Sequence, residues 1–140
     1  MKFGVTTYLW SADFTPEHLS LLPSIKDAGF DGVEIPIFHP QAFAAADIRR
    51  GLAASGLECV VSSVLVDGLS LASDDNALRR RSIAHVTEVV KAAAEVGARV
   101  VAGPIYTPVG FTPGRRSNDD WSRRSASISE FKMTTMSYFA

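Results

Sequence analysis

Three times along this chain a helix-like stretch ends on a glycine, and an apolar, β-branched run follows within two or three residues. The joins are Asp27-Ala28-Gly29-Phe30-Asp31-Gly32-Val33-Glu34-Ile35, Ala54-Ser55-Gly56-Leu57-Glu58-Cys59-Val60-Val61 and Glu95-Val96-Gly97-Ala98-Arg99-Val100-Val101. Glycine just past a helix end takes the left-handed conformation without a Cβ penalty, and the short continuous run behind it reads as a buried strand. Each join is an α-to-β step. With an opening strand over residues 2–7, the order becomes strand, helix, strand, helix, strand, helix, strand. That order is the signature of an α/β fold in which helices cover a parallel sheet.

The helix starts agree. Thr15 can cap a helix whose first position is Pro16, with Leu19, Leu22 and Ile25 on one face; Pro23 inside it is expected to kink the helix. A second helix over about residues 41–55 turns Phe43, Ile48 and Leu52 inward. The third, over about residues 74–96, is capped by Ser73, has Asp74 and Asp75 to complement its dipole, and carries Leu78, Ile83, Val86, Val90, Ala93 and Val96 as one stripe. A fourth is expected to begin at Ser117, with Asp119 and Asp120 in its first turn. Residues 125–140, SASISEFKMTTMSYFA, show no helical stripe and no glycine join. They read as an irregular tail foreign to the fold, or else as a terminal element docked on the sheet. The expected division is thus a domain over residues 1–124 and a tail over 125–140.

Composition narrows the function classes. The 140 residues are 46% hydrophobic and 21% charged, and a chain of this length buries roughly two thirds of its unfolded surface, so it needs neither metal nor disulfide to fold. The single Cys59, together with an opening that lacks a charged-then-apolar leader, favours a reducing, cytoplasmic setting. No apolar run approaches the roughly 18 residues of a membrane span. A formal net charge of -1 supplies no long-range attraction to nucleic acid or to an anionic membrane.

In parallel α/β sheets ligands bind at the carboxyl ends of the strands. After the first strand come Tyr8, Trp10 and Phe14; after the second, Glu34, Phe38 and His39; after the third, Ser62, Ser63 and Asp67; after the fourth, Tyr106 and a loop rich in proline and glycine. Aromatic faces beside acids and a histidine suit a sugar, whose C–H faces stack on rings and whose hydroxyls need polar partners. Each residue also has a structural reading. Tyr8 and Trp10 can simply seal the sheet end, Glu34 can belong to a salt bridge, and His39 can be a solvated loop residue. His18 and His85 lie on helices and read as structural. Cys59, inside a buried strand, reads as inert. There is no G-x-G-x-x-G after a strand, no P-loop, no C-x-x-C, no H-E-x-x-H and no G-x-S-x-G. Those absences argue against a nucleotide cofactor, an NTPase, a zinc site and an α/β-hydrolase.

The opening MKFGVTTYLW, the join AGFDGVEI, the stretch SLASDDNALRRRSIAHVTEVVKAAAEVGARVVAGP and the run NDDW resemble the xylose isomerase-like TIM barrels, the sugar isomerase/epimerase superfamily. Within it the chain is most similar to the ketose 3-epimerases of the tagatose and psicose type, over about residues 1–124. The resemblance implies a barrel of eight strand–helix units, of which this chain carries about four. It also implies a divalent metal, Mn²⁺, Mg²⁺ or Co²⁺, held by two glutamates, an aspartate and a histidine of the later strands, none of which can be placed here. Trp10 and Phe14 match the aromatic positions of the sugar pocket, Tyr8 is adjacent, and Glu34 and His39 match the polar residues after the second strand. Thr6 stands where many members have an aromatic residue. In the loop after the fourth strand, where members often stack aromatics over the sugar, this chain has Gly103, Pro104, Ile105 and Tyr106.

The expectation is therefore the N-terminal half of a metal-dependent ketose epimerase or isomerase, as a truncated or frame-shifted form of a longer parent. Alone it should hold no metal and be inactive, with Tyr8, Trp10, Phe14, Glu34 and His39 as one wall of a sugar site. Its expected partners are a small-molecule sugar and a second copy of itself through exposed sheet edges, with no nucleic acid and no membrane. Two alternatives stand beside it: a non-catalytic α/β half-barrel module that oligomerises, and a fragment of an AP-endonuclease-like phosphodiesterase.

Overall fold

A computed structural model describes residues 1–110. Four strands form one parallel sheet in chain order: β1 (Gly4–Thr6), β2 (Gly32–Pro36), β3 (Glu58–Ser62) and β4 (Val101–Ala102). The helices between them are α1 (Leu21–Asp27), α2 (Ala45–Ser55) and α3 (Asn76–Val96). Gly29, Gly56 and Gly97 have φ of 92°, 62° and 90°, so all three joins turn on the left-handed residue that the sequence placed there. The expected order of elements holds through β4. The helix expected from Ser117 and the tail over residues 125–140 lie outside the described residues.

Register sorts the strand residues into two faces. Val5, Val33 and Cys59 are aligned across β1, β2 and β3, and Ile35, Val61 and Val101 across β2, β3 and β4. All six point toward the helices and join the core cluster with Leu22, Ile25, Ile48, Leu52, Val89, Ala93 and Val96. Successive side chains of a strand alternate, so Gly4, Gly32 and Glu58 form one row of the opposite face, and Thr6, Glu34 and Val60 the next. No described helix covers that inner face.

Three local expectations are corrected. The first helix is a 3-10 turn, Pro16–Ser20, followed by α1. Pro23 falls in the first turn of α1, where its missing N–H is least costly, so the expected kink is a change of helix type. The second helix starts later, because Pro40–Ala42 is a separate 3-10 turn. The N-cap of α3 is Asp75, whose Oδ1 accepts from the Ala77 N–H at 2.7 Å; Ser73 instead accepts from the Asp75 N–H at 3.1 Å.

Candidate functional site

The inner face opens on a hollow of about 300 Å³ lined by Gly4, Thr6, Gly32, Glu34, Glu58 and Val60 among others. Gly4 and Gly32 have no side chain to fill it. At its floor Lys2 pairs with Glu58 across the strand ends, both side chains largely exposed, and that hydrogen bond raises the pKa of Lys2. At its upper margin, toward the carboxyl ends of the strands, stands Glu34.

Glu34 is tied at two points to the segment after β1. Thr6 Oγ1 donates to Glu34 Oε1 at 3.2 Å, and Thr7 Oγ1 donates to the Glu34 carbonyl at 3.1 Å. Thr7 is fully buried; its hydroxyl is satisfied by that bond, as burial requires. The Tyr8 N–H donates to Thr6 Oγ1 at 3.3 Å, which starts the 3-10 turn Thr7–Leu9. Tyr8 then meets Phe38 edge to face, with centroids 6.2 Å apart, a geometry that rings favour. Tyr8 is 56% and Trp10 49% exposed. Aromatic surface is thus presented at the same strand ends as the carboxylate.

The loops after β3 and β4 brace each other. Leu65, Leu69, Leu71 and Val86 form a second core cluster, with Ile105 packed against it. The Leu71 and Ala72 N–H groups both donate to the Tyr106 carbonyl, at 3.0 and 3.3 Å. Ser82 Oγ accepts from the Ser70 N–H and donates to the Leu78 carbonyl, each at 2.8 Å. These bonds fix the backbone that carries exposed Tyr106.

The five expected site residues do not share one surface. Tyr8, Trp10 and Glu34 belong to the β1 and β2 ends described above. Phe14 is corrected: it is 3% exposed within the core cluster, its ring 5.6 Å from that of His18. His18 Nδ1 accepts the Thr15 N–H at 3.1 Å, so both rings serve the helix start. His39, like Tyr8 and Trp10, is exposed and outside the lining of the hollow; its charge acts on His85 of α3.

His85 has a buried Nε2 without a hydrogen-bond partner among the described residues, and its pKa is lowered by desolvation first and then by His39, with Asp67 opposing. Among the other candidates, Ser63 is buried and donates to the Ile37 carbonyl at 2.6 Å, which is a structural role. Burial pushes the Cys59 thiol up to about 12, so it stays protonated and unreactive.

Sequence reasoning marked Thr6 only as a departure from an aromatic position and did not single out Val60. Their parity was available: Thr6 alternates with core-facing Val5, and Val60 with core-facing Cys59 and Val61. Their partners were not, because Thr6 meets Glu34 only through the register of two strands 28 residues apart in sequence.

A divalent metal was implied by resemblance. Among the described residues no group of three or more His, Cys, Asp or Glu side chains is arranged to hold a metal ion. The described residues therefore do not fit that group. No described helix is long and apolar enough to cross a membrane.

The sequence profile of the xylose isomerase-like TIM barrels matches residues 22–132. A probable ketose 3-epimerase of Synechocystis sp. is 30% identical over 114 residues, covering 81% of this chain and 40% of that protein. An L-ribulose 3-epimerase of Mesorhizobium japonicum is 26% identical over 134 residues, covering 95% of this chain and 45% of that one. In structure, the D-allulose 3-epimerase of Methylomonas sp. in complex with D-allulose superposes with a TM-score of 0.87 at 19% identity, over 99% of this chain and 49% of that one. The four-stranded arc is thus half of such a barrel, and the chain spans less than half the length of these two curated relatives. With its profile match, its glycine-hinged joins and its parallel order in agreement, the chain belongs to the xylose isomerase-like TIM barrel family.

Proposed function

We propose that this chain forms the sugar-facing wall contributed by the first four strand–helix units of a ketose 3-epimerase-type barrel, and that by itself it binds a ketose without epimerising it. The observation that carries the reading is Glu34: a half-buried carboxylate on the open inner face, beside Val60, with Tyr8, Phe38 and Trp10 at the adjoining strand ends. A carboxylate accepts hydroxyl protons and the rings cover C–H faces, the combination a neutral sugar requires. The relatives named as ketose epimerases support the substrate class.

Epimerisation beside a carbonyl removes a proton from one face of a carbon and returns one to the other. It needs acid–base groups on both sides and a partner for the developing charge. The described arc lines one side. Titrating the isotopically labelled 140-residue chain with D-fructose or D-tagatose should shift the Tyr8, Trp10 and Glu34 signals. An assay with added Mn²⁺ should yield no 3-epimer; turnover by the purified chain would overturn the inactive half of the reading, and an absence of shifts the binding half.

Among the described residues the outer strands β1 and β4 each pair on one side only and no helix covers the inner face, so self-association belongs to the same reading. Light scattering should show species larger than one chain as concentration rises. A monomer at high concentration would remove this part.

A further inference from the structure

The Thr6 hydroxyl sits between an amide and a carboxylate. It takes the Tyr8 N–H on one lone pair and gives its proton to Glu34 Oε1, so its only donor is spent inside the protein. Glu34 meets no ion-pair partner among the described residues, and Oε2 receives no hydrogen bond from them. A glutamate side chain has three rotatable bonds and substantial rotamer entropy. On an uncovered sheet face, one fixed contact decides whether its second oxygen has a defined direction.

We propose that Thr6 is a positioning residue: it anchors Glu34 through Oε1 and leaves Oε2, with the remaining Thr6 lone pair, as an acceptor-only notch for two hydroxyl donors of a polyol. This rests on the sugar-binding reading above and deepens it. The Thr7 bond to the Glu34 carbonyl fixes the backbone at the same place. The notch is therefore referenced to the turn carrying Tyr8, and aromatic surface and acceptor are held by the same two threonines. Hydroxyls held by a carboxylate make charge-assisted bonds, the stronger kind.

The test compares Thr6→Val, which keeps the shape and removes the hydroxyl, with Thr6→Ser, which restores it. In the 140-residue chain, NMR coupling constants should report one Glu34 χ1 rotamer in the parent and in Thr6→Ser, and rotamer averaging in Thr6→Val. D-fructose should bind about tenfold more weakly to Thr6→Val than to the parent, with the affinity recovered in Thr6→Ser. Equal Glu34 rotamer populations in all three proteins would overturn the positioning role. Should the parent bind no ketose, the sugar-binding reading fails, and with it the polyol notch; the rotamer measurement still decides whether Thr6 orients Glu34. Glu34→Gln, which keeps an acceptor oxygen but loses the charge, serves as a second variant: it should weaken binding in the parent and change little in the Thr6→Val background, whereas additive losses would contradict the coupling.

Discussion

On the helix side of the sheet, Val5, Val33, Ile35, Cys59, Val61 and Val101 pack into one continuous core. One residue further along the same strands, Thr6, Glu34 and Val60 face an open hollow, and Val60 is 38% exposed where its neighbour Val61 is 0%. Strand parity alone separates the two environments, so identical residue types carry different energies. A valine facing the helices holds the fold together; a valine facing the hollow shapes a surface.

The widest gap should appear when the faces are truncated in turn. Ile35, fully buried, should lose about 2–5 kcal/mol of unfolding free energy on replacement by alanine, through lost transfer energy and the cavity left behind. Val60→Ala should stay within about 0.5 kcal/mol, as for surface substitutions. Urea unfolding of the two variants measures both, and equal losses would break the two-face description.

A smaller effect is expected where the backbone after β4 lies against the end of β3. Gly103 has φ of 122°, and a Cβ there would lie 2.1 Å from the Ser63 carbonyl oxygen. Gly103→Ala should therefore cost on the order of 1–3 kcal/mol, seen as a lower thermal midpoint. An unchanged midpoint would mean that the β3 and β4 ends are looser than drawn.

The smallest is a pH effect on the helix side. Burial lowers the His85 pKa below its ordinary 6.5, His39 adds to this, and Asp67 opposes it. The folded chain then binds fewer protons than the unfolded chain, so this contribution is fully present above 6.5 and is lost as pH falls toward the lowered value. His85→Leu should flatten that part of the stability–pH curve. An unaltered slope would place the linkage elsewhere.

What could be read from the sequence was what local chemistry determines. Gly29, Gly56 and Gly97 announce their left-handed caps, and the runs behind them announce strands, because both signals lie within a few residues. Helix ends were less distinct where two capping residues compete: Ser73 and Asp75 both form capping-type bonds, and only the placement of the first turn decides which is the cap. The site was legible as residue types at strand ends. Phe14 went astray because the chain between the 3-10 turn Thr7–Leu9 and the one at Pro16–Ser20 brings its ring back into the core. His39 did so because the turn at Pro40–Ala42 packs beside α3. The Thr6–Glu34 contact depends on which strand lies beside which, a property of the sheet that neither strand encodes alone.

Among the described residues the two unpaired margins of the sheet are brief, three residues at β1 and two at β4. A margin that short offers only a few rungs to an incoming backbone, too few for the indiscriminate ladder growth that longer flat borders invite. Beside so short a backbone edge, the side chains around the inner-face hollow, Thr6, Glu34 and Val60 among them, are the larger recognition surface.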